Sequence, residues 1–567
     1  MAYVIADNII SPLGDTSEAN YLAVKSGRSG LCRYAPGNRG IPDAFMASLL
    51  SDEQVAALTQ DESLARFERL AMASARKAIV SANIDVSQGN VVFILSSTKG
   101  SIEQLSHTAE SKPYLGTTAK KIATRLGFTT EPIVVCNACI SGLSALILAS
   151  RLLEQGKYEY AVVCGADSPG RFIISGFQSL KALSTEPCRP FDMERFGLNL
   201  GEAAATLVLG GKQSKTGSWW IGNGYVRNDA FHISAPSKTG EGLYQALEMT
   251  LQGADKTQVA FVNAHGTATL FNDQMESVAI ERAGLSDVPT DALKGYFGHT
   301  LGAAGILETI VSMKAADDHT VIGTKGFEEL GVSGKVNISS LNRSTTKSCF
   351  IKMLSGFGGC NATLLATKDK GDHQPSVDKA RNIVQTHRVK VSPREVLVDG
   401  KQLHVDMDVP DLLTNLYKQH IGGYPKYYKM DALSRLGFVA SELLLQSEGK
   451  ERFAECSDRA VILFNHSSSI HSDEKYLKSI EDAANYFPSP SVFVYTLPNI
   501  VTGEIAIRNA YHGETSFYIL PERNEAQMTS ILETAFMDGK TTSVLGGWID
   551  YEDERHYEAE LMIYNKI

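Results

Sequence analysis

The sequence predicts an α/β protein built on mainly parallel sheet, and three observations carry that expectation. Short apolar runs bounded by turn residues recur at VVFIL (91–95), YAVVCGAD (160–167) and VAFVNAHG (259–266), the pattern of buried strands. Longer helical patterns separate them, FERLAMASARKAIV over 67–80 and ISGLSALILASRLL over 140–153. Strands alternating with helices produce parallel neighbours covered on both faces. The second helix is apolar around most of its circumference, which places it in a core layer between two sheets.

At 567 residues, a prior of about 150 residues per domain gives roughly 3.8 units. Hydrophobic residues are 43% and charged residues 21%, which excludes a disordered chain, a collagen and a coiled coil. With 54 Lys and Arg against 64 Asp and Glu, the net charge of −10 argues against a nucleic-acid binder. The start, MAYVIADNIISPLG, has no signal-peptide pattern, and no apolar run reaches membrane-spanning length, so a soluble, cytoplasmic protein is expected. Eight cysteines are few for this length, and seven of them precede residue 361. That asymmetry suits neither a disulfide framework nor a zinc site, because only Cys136 and Cys139 form a CxxC.

The pattern breaks at 369–395, where KDKGDHQPSVDKARNIVQTHRVKVSP reads as a linker, and resumes from Val396 with a helix at 430–446 and a strand at 460–464. The second module echoes the first. An offset of 383 lays Ile122-Ala123 on Ile505-Ala506, Gly156-Lys157 on Gly539-Lys540 and Asp167 on Asp550. Arg69-Leu70 matches Arg435-Leu436 at a smaller offset. The agreement of several landmarks in order supports an internal duplication over the alternative that any two β-α-β stretches look alike.

Chemistry concentrates in EPIVVCNACISGLSALILASRLL, where Cys139 stands at the start of the long helix. Free N–H groups and the helix dipole there favour a thiolate, which makes Cys139 a candidate nucleophile. His265 follows a strand in VNAHGTATLFND, and His299 lies in a glycine-flanked turn, with Lys294 five residues before it and Glu308 nine after. A thiol and two imidazoles together suit thioester chemistry.

These motifs resemble the β-ketoacyl-[acyl-carrier-protein] synthases, the elongating Cys-His-His branch of the thiolase-like superfamily. SPLG (11–14), NACISG (137–142), CRPFDMERFGLNLGEAAATLVLG (188–210), NAHGTATLFND (263–273), KGYFGHTLGAAG (294–305) and GFGGCNA (356–362) fall in family order over about residues 2–368. The resemblance implies a five-layered αβαβα fold of two duplicated halves, 1–210 with the nucleophile and 211–368 with the histidine motifs. After the 369–395 linker, 396–567 then reads as a degenerate copy of the first half, an α/β half-thiolase-like module. It implies that Cys139 carries the acyl group, that His265 and His299 act in malonyl decarboxylation, and that Lys294, placed with the catalytic set, pairs with Glu308. Backbone N–H groups of Cys139 and Phe357 would form the oxyanion hole, Phe357 would gate the acyl pocket, and Thr267 and Thr269 would support the site. No cofactor or metal is implied beyond the phosphopantetheine of acyl carrier protein, which carries the substrates. The family norm is a homodimer through the first module's sheets, with a heterodimer to a synthase-like subunit as the variant.

Departures are modest: Ala268 stands where the pattern has glycine and Ile140 where it has alanine, and this bulk is expected to alter acyl specificity. In the second module Glu522 falls on the Cys139 position, so that module is expected to shape or dock, packed on the first module, a dimer mate or another subunit. Its His466, His471 and His512 read as surface or turn residues. The leading reading is a decarboxylative condensing enzyme for fatty acid, polyketide or polyene synthesis. The alternative is a non-catalytic partner of chain-length-factor type, against which Cys139 speaks.

Overall fold

The computed structural model describes residues 2–106, 112–211, 217–368, 383–482 and 485–567. Within it one five-stranded pattern occurs three times. The first copy comprises β1 (Ala2–Ile10), α1 (Arg66–Ala82), β2 (Val91–Ser96), α2 (Leu115–Leu126), β3 (Ile133–Val135), α3 (Ser141–Glu154), β4 (Tyr160–Asp167) and β5 (Ala203–Gly210). Its strand order is β1-β5-β4-β2-β3, with β2 parallel to both neighbours and β5 antiparallel to both of its own. The second copy runs through β6 (Trp220–Asn228), α4 (Glu241–Thr250), β7 (Val259–Asn263), α5 (Leu270–Arg282), β8 (Pro289–Asp291), α6 (Ala304–Asp317), β9 (Cys349–Gly356) and β10 (Cys360–Thr367). Its order, β6-β10-β9-β7-β8, repeats the first with the same strand directions.

Helices α3 and α6 form the middle layer between these two sheets, each touching strands of both. Their sequences leave no polar face, and residues 141–153 of α3 are all buried. They cross at glycines: a Cβ on Gly305 would stand 2.3 Å from the Leu143 nitrogen, and one on Gly142 2.8 Å from the Gly302 oxygen. With α1 outside the first sheet and α4 outside the second, the layers are helix, sheet, helix, sheet, helix, as the resemblance implies.

The third copy contains β11 (Ile383–Val391), α7 (Ala432–Glu448), β12 (Arg459–Asn465), α8 (Ile500–Asn509), β13 (Thr515–Ile519), α9 (Glu525–Ala535), β14 (Ser543–Asp553) and β15 (His556–Lys566). Its order is β11-β15-β14-β12-β13, the same again. The copy therefore starts at Ile383, inside the stretch expected to be a linker over 369–395, of which 369–382 lies outside the described residues. IVQTHRVKV reads as polar because this strand buries only Val389 and Val391.

The third copy adjoins the first edge to edge. β13 pairs antiparallel with β3, placing Tyr518 opposite Val135 and Ile519 opposite Val134. Tyr518 is the residue that the offset assigns to Val135 (518 − 135 = 383), so the strand meets its own counterpart about a local two-fold, the geometry of an isologous contact. A homodimer through this edge of the first sheet would need the strand that β13 already occupies. One apolar core spans the junction, joining Phe93, Leu115 and Ile122 to Val501, Ile505 and Phe517. Among the described residues, three buried ion pairs tie the third copy to the other two: Arg151–Glu514 (2.7 Å) and Lys99–Asp473 (2.5 Å) to the first, and Arg227–Asp538 (2.8 Å) to the second. Unlike α3, helix α9 is one-sided: Met528, Ile531 and Leu532 face inward while Glu525, Ala526 and Thr529 are exposed. The third copy thus needs no second sheet over that face. No described helix is long and apolar enough to cross a membrane.

Candidate active site

Three loops at the ends of parallel strands converge on Cys139. After β3 the chain turns through Ala138, held at φ 47, a left-handed conformation costly for a residue with a side chain. Asn137 braces the turn: its Oδ1 accepts the Phe517 N–H at 2.7 Å, and its own N–H donates to Ser141 Oγ at 2.8 Å. After β7, His265 and Gly266 donate their backbone N–H groups to Glu276 of α5, both at 2.7 Å, while Asp273 accepts from the amides of Phe191 and Ala268. Before α6, Gly298 at φ 69 lets the chain present His299.

The result is a compact triangle. The ligating atoms of Cys139, His265 and His299 lie within 4.8 Å of one another, and the imidazole rings meet edge to face with centroids 5.0 Å apart. His299 Nδ1 accepts the Leu301 N–H at 3.3 Å, which leaves the ring proton on Nε2; that nitrogen and His265 Nδ1 are buried with no protein hydrogen-bond partner. Burial first, and then the positive charge of Lys294, hold both imidazoles well below their ordinary pKa. The Cys139 thiol is pushed up to about 12 by burial, against the pull of Lys294. Desolvation thus opposes the thiolate stabilisation expected of the helix start.

Behind the histidines lies a buried cage of charge. Lys294 Nζ meets Glu308 Oε1 at 2.5 Å, and Lys352 meets Oε2 at 2.7 Å, all three side chains being nearly inaccessible. Lys352 also donates to the carbonyls of Ala264 (3.3 Å) and Met353 (3.0 Å), gripping the strand end that carries His265. Burial raises the Glu308 carboxyl, yet the two lysines bring it net below its ordinary value. Lys294 does not line the cavity at Cys139, so it acts on the histidines through its charge.

That cavity, about 380 Å³, is walled by His265, His299, Thr267, Thr269 and Phe357, with the Thr267 and Thr269 hydroxyls 2.9 Å apart. A much smaller one, about 20 Å³, reaches Cys139 from the other side and is lined by Phe177, Phe357 and, from the third copy, Phe493, Thr496 and Leu497. Phe357 lines both, as does Phe177, on which it stacks with centroids 6.3 Å apart. Gly356 permits this approach, since a Cβ there would lie 3.2 Å from the Cys139 nitrogen. Ala268 and Ile140, expected to modulate the acyl site by their bulk, are fully buried and line neither cavity. Ala268 instead sits at φ 60, a conformation glycine takes without strain.

In the third copy the counterpart of Cys139 is the exposed Glu522. His466 lies tilted against Tyr114 and His471 edge-on to Tyr551, but His512 is no surface residue: it is buried, its Nδ1 3.1 Å from the Asn228 carbonyl across the junction. Sequence reading passed over Lys352, Glu276 and Asp273. The signal available for Lys352 was a lysine inside the apolar strand CFIKMLSG, where a charge demands a partner.

A thiol at a strand-to-helix turn thus faces two imidazoles on a duplicated five-layer fold. The chain belongs to the β-ketoacyl synthase family: residues 8–214 match its N-terminal domain and 221–328 its C-terminal domain, together more than half of the chain. It is 35% identical over 257 residues to 3-oxoacyl-[acyl-carrier-protein] synthase 2 of Rhizobium meliloti, an alignment covering 42% of this chain and 61%, less than two thirds, of that protein. With the synthase 2 of Vibrio cholerae the identity is 28% over 401 residues, covering 63% of this chain and 96% of that one. Among solved structures, a β-ketoacyl synthase from Burkholderia phymatum covers 65% of this chain and is itself covered to 99%, at TM-score 0.59 and 24% identity. The PfaC keto synthase–chain length factor covers 100% of this chain, with 78% of its own length, at TM-score 0.74 and 13% identity. These structural likenesses speak to fold, and the last takes in the third copy.

Proposed function

We propose that the protein is a 3-oxoacyl-[acyl-carrier-protein] synthase that condenses an acyl group held on Cys139 with a malonyl unit, releasing carbon dioxide. The observation that carries this reading is the triangle of Cys139, His265 and His299 at the foot of an open cavity. In the first half-reaction Cys139 Sγ attacks the acyl thioester of the carrier, its proton passing by way of a neutral imidazole to the departing carrier thiol. The oxyanion so formed is held by the amides of Cys139 and Phe357. In the second, the malonyl C–C bond breaks to carbon dioxide and an enolate whose oxygen receives hydrogen bonds from His265 and His299. A neutral imidazole keeps one N–H to donate, so both rings can serve without being protonated. The enolate carbon attacks the acyl-enzyme carbonyl, the Cys139 S–C bond breaks, and the departing thiolate takes up a proton from solvent.

Lys294, Lys352 and Glu308 position the histidines, and Thr267 and Thr269 line the approach of the carrier arm. On this reading the phosphopantetheine of acyl carrier protein brings both substrates, and no further cofactor or metal takes part. The eight free cysteines suit a reducing, cytoplasmic compartment. The third copy takes no part in bond making, because Glu522 replaces the nucleophile; we assign it the place of a synthase-like second subunit, built into the same chain. Radiolabelled acyl transfer from carrier to protein tests the assignment. Label is expected on the parent and absent from Cys139→Ala and Cys139→Gln, while variants that load like the parent contradict it.

A further inference from the structure

The third copy reaches into the turn that carries Phe357. Asn499, which opens α8 and is 1% exposed, donates from Nδ2 to the Phe357 carbonyl at 2.8 Å. The two segments meet backbone to backbone: a Cβ on Gly503 would stand 2.5 Å from the Gly358 oxygen, and one on Gly358 2.8 Å from Asn499 Nδ2. A second tether lies next door, where Asn228 Nδ2 donates to the Gly358 carbonyl (2.8 Å) and to Thr515 Oγ1 of β13 (3.0 Å). On the other side of Phe357, Gly356 is held in register opposite Cys360 by the β9–β10 pair. Residue 357 is thus pinned at both ends, one pin coming from the second copy and one from the third.

We propose that Asn499 is a positioning residue for acyl transfer to Cys139, fixing the Phe357 amide where the oxyanion of that step forms. The proposal rests on the condensing-enzyme reading above. It assigns the third copy a part in one half-reaction only. Acyl transfer, in which the Cys139 S–C bond forms, the carrier C–S bond breaks and the thiol proton ends on the carrier, uses the Phe357 amide. Malonyl decarboxylation uses the two histidines, whose loops Asn499 does not touch. Deleting an oxyanion donor outright costs about 10²–10³ in rate; a donor left in place but loosened costs less, about 10-fold.

The test uses the full chain with acyl- and malonyl-loaded carrier protein. Asn499→Ala removes the side chain, and Asn499→Asp keeps its volume while replacing the donor with an oxygen that faces the Phe357 carbonyl. Single-turnover acyl transfer onto Cys139 is expected to slow about 10-fold or more in both variants. Decarboxylation of malonyl carrier, measured in the Cys139→Gln background, is expected to stay within about two-fold. Unchanged acyl transfer overturns the proposal, and so does an equal fall in both half-reactions, which marks a structural role alone. A parent protein lacking both half-reactions removes the condensing-enzyme reading itself, and the proposal with it.

Discussion

Replacing Lys352 with methionine separates the electrostatic from the mechanical duty of the buried cage. Methionine keeps most of the side-chain volume but leaves Glu308 Oε2 without the cation 2.7 Å away, and frees the Ala264 and Met353 carbonyls. Breaking one partner from a buried pair costs about 3–5 kcal/mol; with Lys294 still 2.5 Å from Oε1, we expect the lower end, about 3 kcal/mol. That loss lowers the thermal midpoint of the catalytic unit by about 5 °C. The second consequence concerns pH. Both histidines are held below their ordinary pKa by burial and then by positive charge, to which Lys352 contributes. Removing that charge raises both values toward about 6.5, so the histidines become protonated at higher pH and the acid limb of decarboxylation moves upward. The assay is the pH–rate profile of malonyl decarboxylation, read beside the melting curve. An acid limb that stays in place or moves to lower pH refutes the reasoning, whatever the change in stability.

In the parent, decarboxylation is expected to hold level from about pH 6.5 to 8, since both imidazoles are neutral throughout, and to fall only below that range; a limb centred above 6.5 contradicts this. Cys139, its thiol raised to about 12, is expected to react with iodoacetamide at about pH 7 more slowly than the exposed Cys32, as peptide mass mapping would show. At the junction, Arg227→Met leaves Asp538 buried without its cation but still accepting from Thr541 and Lys540, at a cost of about 3 kcal/mol, and adding Asp538→Asn, which removes the charge and keeps an acceptor, is expected to recover part of it in a double-mutant cycle read by melting. Ala268→Val is expected to cost about 2 kcal/mol, because a β-branched side chain is forced to φ 60 in a closed core, whereas Ala268→Gly is tolerated.

Much of the first two copies was legible because their strands are continuous apolar runs and α3 has no polar face. The duplication was legible too, since the offset of 383 that aligned Ile122 with Ile505 also pairs Val135 with Tyr518 in space. Strand β11 escaped because it buries only Val389 and Val391, so its other positions carry polar residues. Cys139, His265 and His299 could be named from local motifs, but the state of the thiol could not. Local sequence indicates a helix start, while its desolvation comes from elements distant in the chain. Asn499 carries no local signal at all; Leu497-Pro498-Asn499 reads as an ordinary helix start, and only the docking of the third copy brings it to Phe357. Likewise α9 announced its one-sidedness through Glu525 and Thr529, yet what that meant for a missing sheet required α3 beside it for comparison.

The central claim is condensation on Cys139, and the most direct measurement follows labelled carbon through it. Malonyl carrier uniformly labelled with ¹³C in the malonyl group is mixed with acyl carrier and the protein, and the carrier-bound product is weighed intact. A 3-oxoacyl product holding two labelled carbons, with the third released as ¹³CO₂, is the predicted result, and it must vanish with Cys139→Ala. A product that keeps all three labelled carbons, or one that forms without Cys139, contradicts the account.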